Sequence, residues 1–456
     1  MEIITDGKMI EIMQKSINSQ LITDLELLPE EQFIVRCLCL EFDKKAHVNC
    51  APLNFFPIDW DRAYDKSIQW HIAPLLYKTL INQSTFFQSL DISNDFLQKL
   101  KTTYVKTFFV NKINYESLAE VLEVFNKEGI EAVLLKGGFL AHFVYEDIGL
   151  RSMSDFDILV KKDDLYAAER QLSKLGCEFL RTTQDTQALD YIIEKFRTNH
   201  HHLHPFIHPK GTKPLEVHWT ILHQDFPFNI NIEGLWERAK SAQINGEKVL
   251  VLSPEDALLN HSLHTAYGNK LSVYGLRACC DTAAIINHYR HEIDWEQLLL
   301  LAYEWGAEKY LYLTLRLSKE ILRADVPEGI LQNLKPKPFK ESLFLEAQKR
   351  VISAKVADTI PYIKRFNPHS SFVKKIFFFL QRTFIPPKEL AASYSLPASS
   401  KRVYFYYIVR FFSLLHRAPF ILHLLINKKG DTCQNNLDLW LVFPDSQKDN
   451  MKLNEK

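Results

Sequence analysis

The sequence predicts an α+β protein: a small mixed β-sheet core flanked by N- and C-terminal helical regions. Three observations carry this. Apolar residues at helical spacing fill the first hundred positions, short apolar runs alternate with helical patterns from Ile130 to Leu252, and helical spacing returns from Ser253. The organisation reads as a helical N-terminal region over 1–102, a sheet-bearing core over 103–252, a helical domain over 253–370 and a basic aromatic helical tail over 371–456.

Each element has a local reason. Pro29-Glu30-Glu31 opens a helix that runs to Leu40, and Trp60 to Leu80 is apolar at helical spacing. Leu97 to Glu128 continues that spacing and stops at Gly129, a residue suited to a helix C-terminus. Ile130 to Leu135 is too short for a helix, and Gly137-Gly138 follows it, so it reads as a buried strand and turn. Phe139 to Tyr145 then reads as helix, Asp155 to Val160 as strand, and Asp163 to Leu175 as a helix ending at Gly176. His200 to Ile207 and Leu215 to Thr220 read as strands joined by a Pro-Lys-Gly-Thr turn, and Lys248 to Leu252 as the last strand. Ser253-Pro254-Glu255-Asp256 has the N-cap, proline and acids of a helix start, and Asp294-Trp295-Glu296 starts another. Proline breaks fall at Val326-Pro327 and from Phe384 to Pro387.

Composition narrows the class. Hydrophobic residues make up 46% and charged residues 24%, which excludes global disorder. With 55 basic and 55 acidic residues the chain has no net charge, so nothing global argues for nucleic acid, and tRNA stays open without being favoured. Cysteines 37, 39, 50, 177, 279, 280 and 433 form no CxxC pair and read as reduced core thiols. The first residues hold no apolar leader, and no apolar run reaches membrane-spanning length; the expectation is cytoplasmic, with membrane association open. That opening comes from residues 371–430, which carry ten Lys or Arg against one acid, Glu389, with aromatics interleaved as in KRVYFYYIVRFFSLLHR. Such a segment suits an anionic membrane surface, a polyanion, or an aromatic helix pair packed on the body with a solvated basic edge.

The chemistry concentrates between Leu134 and Val160. Asp155 and Asp157 stand at i and i+2 on a strand, so both point to one face. Two adjacent carboxylates repel, and a hard divalent cation relieves the repulsion: Mg²⁺, with Mn²⁺ as the alternative. Upstream, Gly137 and Gly138 let backbone N–H groups approach a phosphate at a helix start, so an NTP triphosphate fits between glycine turn and metal. Arg151 is placed to reach a phosphate oxygen, and Lys136 either binds phosphate or caps the turn. Glu216, in PLEVHW, is the candidate third carboxylate, either for a second metal or as proton acceptor.

These residues carry a resemblance. The glycine turn, the D-x-D strand and the later carboxylate resemble the nucleotidyltransferase superfamily related to DNA polymerase β. The closer similarity is to the bacterial uncharacterised nucleotidyltransferase family, with its LKG, its Arg before D-x-D-x-LV and its later E-x-H-W. It continues through SPEDALLNHSLH, GLRACCDTAAII and DWEQLLLLAYEWG. The KGG…R-x-S-x-D-x-D order of nucleotidyltransferase toxins of toxin–antitoxin pairs is also similar, and Ser154, beside the first aspartate, lies close to where that pattern places its serine. The resemblance implies Mg²⁺-dependent transfer of a nucleoside monophosphate from an NTP to an unidentified hydroxyl or phosphate acceptor. It assigns Gly137 and Gly138 to phosphate, and Asp155, Asp157 and Glu216 to metal. Two departures stand out: Gly-Gly replaces the frequent Gly-Ser, and the gap from Gly138 to Asp155 is long. The alternatives are a catalytically silent module of the same fold that binds a nucleotide or partner, and a membrane-surface accessory protein of polysaccharide or peptide biosynthesis.

The remaining histidines have plainer readings. His200, His202 and His204 would share a strand face, but no cysteine or carboxylate stands at a matching spacing for zinc, so hydrogen-bonded filling is expected across His200–His208. His218 and Trp219 are expected to pack beside Glu216, and His261 and His264 to line core or cleft.

Overall fold

The computed structural model describes residues 27–43, 57–84, 87, 91–181, 185–223, 226–271, 274–354, 384–394, 396–397, 400–416 and 437–442. Before the sheet come α1 (Pro29–Phe42), α2 (Trp60–Gln69), α3 (Ala73–Asn82) and α4 (Asn94–Lys127). Proline opens α1, and the Asp59 and Ser93 side chains cap α2 and α4 by accepting from Arg62 and Phe96 amides. On α4, Asn111, Tyr115, Leu118, Leu122 and Phe125 recur at helical spacing and are buried, so one stripe lies on the sheet. The helix ends as its sequence implies: Gly129 turns left-handed at φ +75°, and the Ile130 amide donates back to the Phe125 carbonyl at 2.9 Å.

The sheet has seven strands: β1 (Ala132–Leu135), β2 (Phe156–Val160), β3 (Glu178–Phe179), β4 (Phe206–Ile207), β5 (Pro214–His218), β6 (Lys240–Ile244) and β7 (Glu247–Val251). Their order is β3-β4-β5-β2-β1-β7-β6. The pairs β1–β7 and β2–β5 are parallel, while β1–β2, β3–β4, β4–β5 and β6–β7 are antiparallel. This is the mixed sheet flanked by helices that the sequence predicts. Every residue of β1 and β2 is buried, as central strands covered on both faces require. The sheet helices are α5 (Lys136–Phe139, continuing as a π turn over Leu140–Val144), α6 (Leu165–Lys174), α7 (Thr186–Asn199) and α8 (Ile232–Arg238).

Two stretches differ from the sequence reading. The strand expected over His200–Ile207 is mostly absent, because α7 runs up to Asn199 and His200 is its cap; His202 makes a single bridge to His218, and only β4 is strand. The alternation that would put His200, His202 and His204 on one strand face therefore does not apply. The strand at Lys248 also has a partner that the sequence reading lacks: β6 and β7 form a hairpin over Asn245-Gly246, both left-handed at φ +50° and +89°.

After the sheet come α9 (Pro254–Ser262, continuing as a π turn to Gly268), α10 (Arg277–His288), α11 (Trp295–Trp305), α12 (Glu308–Leu322), α13 (Glu328–Leu334) and α14 (Glu341–Ser353). Ser253 and Asp294 cap α9 and α11 as read from sequence. Further on are α15 (Pro387–Ser393), α16 (Val403–His416) and α17 (Leu437–Val442). Residues 371–383, 395, 398–399 and 417–430 of the basic aromatic tail lie outside the described residues. One buried apolar cluster extends from Leu27 to Leu441 and joins both helical layers to the sheet. Cys37, Cys39, Cys177, Cys279 and Cys280 are buried free thiols within it.

A buried ion pair fastens the C-terminal helical layer to the sheet. Arg151, in the loop entering β2, donates Nε and Nη2 to the two carboxylate oxygens of Asp281 on α10, each at 2.9 Å. The Tyr145 hydroxyl donates to the same carboxylate at 3.0 Å. Removing one partner of such a pair strands the other charge. Asp281→Asn should therefore lower the unfolding free energy by about 3–5 kcal/mol at neutral pH, read by urea titration. Burial pushes the Asp281 carboxyl up, but Arg151 outweighs it and the net shift is downward. A lowered carboxyl stabilises above its unfolded value and loses that contribution as pH falls through the folded one. The gap between wild type and variant should thus close on acidification below about pH 4.

Candidate active site

The centre is built where β1, β2 and β5 lie side by side. The register sets Leu135 opposite Asp157 and Asp157 opposite Glu216, so the end of β1 and both carboxylates meet on adjacent strands. His218 follows Glu216 by two residues and shares its face. Its Nε2 stands 2.9 Å from Asp157 Oδ1 and 3.4 Å from Glu216 Oε2. From the other side Lys136 donates Nζ to Asp157 Oδ1 at 2.6 Å. Lys136 can do so because the chain leaves β1 through a left-handed residue, with φ +44° at Lys136 itself. A non-glycine residue there is strained, and the ion pair offsets that strain.

The charges follow from this packing. Asp157 is only 1% exposed. Burial pushes its carboxyl up, but Lys136 and His218 hold it far below the usual carboxylate range. Burial alone would lower Lys136 and His218; the Asp157 carboxylate, joined at His218 by Glu216, raises both instead. Glu216 is pushed up by burial and held down, on balance, by His218. Asp155, just before β2, accepts from the Ser154 hydroxyl at 2.8 Å. Its carboxyl is raised by burial and by the charges of Asp157 and Glu216.

The convergent donor set is therefore Asp157, Glu216 and His218, whose ligand atoms lie within 4.8 Å of one another. Asp155 stands beside this set within electrostatic reach, its carboxylate turned to Ser154. Two carboxylate oxygens and an imidazole nitrogen suit a divalent cation, the oxygens Mg²⁺ and the added nitrogen Mn²⁺ as well. The His218 Nδ1 is buried without a partner among the described residues. The sequence reading cast His218 as packing; its i+2 spacing from Glu216 was the signal that it belongs with the carboxylates.

The glycine turn and the loop to β2 form one wall of a cleft of about 700 Å³, open mouth included. Helices α9 and α10 form the other wall, with His261, His264, Arg277 and Asp281 among its lining. A Cβ on Gly137 would stand 2.6 Å from Arg151 Nη1, and one on Gly138 would stand 2.8 Å from Phe156 Cδ1. Gly137 thus lets the guanidinium lie against the backbone, and Gly138 lets α5 lie on β2. The long gap from Gly138 to Asp155 is a loop pinned by α4: Asn111 Nδ2 donates to the carbonyls of Ile148 at 2.6 Å and Arg151 at 2.8 Å. Arg151, expected to reach for phosphate, is committed to Asp281 through two of its nitrogens.

The histidines after α7 crowd the back of this centre. His202 Nδ1 is 3.9 Å from Glu216 Oε2, and the rings of His201 and His202 lie 5.2 and 4.9 Å from that of His218. Burial, then His218, pushes His202 down to about 4. His204 bonds the Leu180 carbonyl at 2.8 Å. Ligand atoms of His200, His201 and His202 also come within 4.8 Å of one another, although no strand alternation places them there.

A family model described as an uncharacterised nucleotidyltransferase matches residues 57–323, which takes in α2 through the end of α12 and every residue of the centre. None of the curated proteins and none of the solved structures matches the chain.

The close contact at Gly138 sets a test of the packing beneath the site. Gly138→Ala should destabilise the protein by about 1–3 kcal/mol, since Phe156 is held between α5 and Tyr115 and has little room to move. A chemical denaturation midpoint unchanged from wild type would contradict this.

Proposed function

The chain belongs to the uncharacterised nucleotidyltransferase family, and from that premise we propose that it transfers a nucleoside monophosphate from an NTP to a hydroxyl or phosphate acceptor. The observation that carries the proposal is the convergence of Asp157, Glu216 and His218, of which Asp157 lines a cleft beside the glycine turn together with Asp155 and Lys136. A divalent cation that displaced the Lys136 ammonium and the His218 proton from Asp157 would be held by those three side chains, with Asp155 alongside, and would neutralise charge on the phosphate oxygens around the reacting phosphorus.

The chain's own residues account for the rest. Gly137 leaves the turn low enough for a triphosphate to lie over it. Lys136, drawn to Asp157 in this structure, is within a side-chain rotation of the cleft and would meet phosphate oxygen once Asp157 is otherwise engaged. Asp155, whose carboxyl is raised by burial and by the charges of Asp157 and Glu216, would accept the proton of an acceptor hydroxyl. An acceptor oxygen forms a bond to the α-phosphorus in line with the bond that breaks to the β-phosphate oxygen, and pyrophosphate leaves. Holding these groups in line is where most of the rate would arise.

Incubation with each α-labelled NTP, Mg²⁺ or Mn²⁺ and a cell extract should transfer label to an acceptor. Asp157→Asn and Glu216→Gln should each reduce transfer by about a thousandfold, the scale of a lost electrostatic contact at a reacting phosphate. Transfer that survives both substitutions sinks the assignment, and NTP binding with no transfer under any condition favours the silent module.

One further observation favours membrane-surface association as a second property. No helix among the described residues is long and apolar enough to cross a membrane. On α16, however, Tyr404, Phe405, Ile408 and Phe412 are more than half exposed, beside Lys401, Arg402 and Arg410. Exposed aromatics interleaved with cations suit an anionic bilayer surface. The protein should co-sediment with phosphatidylserine-containing vesicles and not with neutral ones, and Phe405→Ser with Phe412→Ser should abolish it.

A further inference from the structure

The cleft wall opposite the carboxylates contains a cation that makes no ion pair among the described residues. Arg277, at the start of α10, is 7% exposed and lines the cleft. Its guanidinium lies over the Tyr274 ring at 4.3 Å and donates Nη1 to the Ser152 carbonyl at 3.2 Å. Nε is buried with no acceptor, and among the described residues no carboxylate is in ion-pair contact with it. The nearest candidate, Asp281 one turn along α10, is already held in both oxygens by Arg151. Burial and the neighbouring Arg151 charge push Arg277 down to about 10, although the Asp281 carboxylate pulls the other way. A buried cation left unpaired costs several kcal/mol, and folds keep such an arrangement where a ligand anion completes it.

Resting on the nucleotidyltransferase reading, we infer that Arg277, with Nη1 of Arg151, forms the subsite for the terminal phosphates of the NTP. Arg151 brings the one nitrogen that Asp281 leaves unused, lying against Gly137. Arg277 brings a guanidinium from α10 whose Nε is unpaired and whose Nη1 reaches the Ser152 carbonyl, and planar guanidinium donors match phosphate oxygens in geometry and charge. The α-phosphate would then lie toward Asp157, and the leaving pyrophosphate toward α10. Arg277 is a binding residue from the helical layer, where the glycine turn and the D-x-D strand offer no hint of it.

Inorganic tripolyphosphate is the probe, since it carries the phosphate chain without base or sugar. By calorimetry the full-length wild type should bind it, Arg277→Gln should bind at least tenfold more weakly, and Arg277→Lys should recover part of the loss. A nucleoside monophosphate should bind wild type and Arg277→Gln within about twofold of each other. Without ligand, Arg277→Gln should melt at or above the wild-type temperature, because an unpaired buried charge has been removed. Equal tripolyphosphate affinity in wild type and Arg277→Gln overturns the subsite. So does a ligand-free Arg277→Gln that melts well below wild type while Arg277→Lys restores melting but not binding. If tripolyphosphate binding depends on Arg277 and no NTP donates label, the subsite stands and the transferase reading falls. Label transfer whose KM for NTP is unchanged in Arg277→Gln gives the reverse.

Discussion

The whole centre depends on keeping one buried carboxylate ionised. Asp157 sits in the middle strand of the sheet with almost no exposure, and an unpaired charge there would cost several kcal/mol. Its two partners come from the strands on either side, Lys136 at the exit of β1 and His218 at the end of β5. Each partner is itself a buried ionisable group whose charge Asp157 sustains. The three residues are a mutual arrangement, and a shift of register by one residue in β1 or β5 would turn the partner to the other face and dismantle it. That requirement also accounts for the left-handed backbone at Lys136, which turns the side chain back over the strand it has just left.

From this core the polarity of the cleft follows. The sheet side presents the carboxylates of Asp155 and Asp157, with Glu216 behind them on β5. Guanidinium groups enter from both walls, Arg151 from the loop and Arg277 from α10, the first paired with Asp281 and the second in no ion pair among the described residues. The glycine pair sets the width between the two sides: at Gly137 the Arg151 guanidinium occupies the space a side chain would take, and at Gly138 the sheet does. The missing serine of the frequent Gly-Ser form has a local reason here, since any side chain at Gly138 would meet Phe156.

Most elements were legible because their causes are local. The stop at Gly129, the caps at Ser253 and Asp294, and the short runs of β1 and β2 depend on residues within a turn or two of one another. The reading failed where two local patterns competed. Histidines 200 to 204 alternate as a strand would, yet the amphipathic α7 before them, capped by Asp185, extends to Asn199 and takes His200 as its end. The β6–β7 hairpin went unread although Asn245-Gly246 is a strong turn signal, because Lys240 to Ile244 lacks apolar alternation: it is an edge strand with mostly exposed side chains.

By itself, the sequence determined the family and where its motif residues stand: which segment holds the glycine pair, that two aspartates stand two residues apart at the start of a strand, and that an acid two residues before a histidine follows later. These are short-range facts, settled by spacing along the chain. Tertiary structure alone decided which acids converge, since Asp157 meets Glu216 and His218 across 61 residues or fewer only through the parallel pairing of β2 with β5. It alone decided that Arg151 belongs to Asp281, 130 residues away, and that Arg277 faces the cleft unpaired. The physical reason is that a buried charge is fixed by what surrounds it in space, and neighbours brought by strand register and helix packing leave no periodic trace in the sequence.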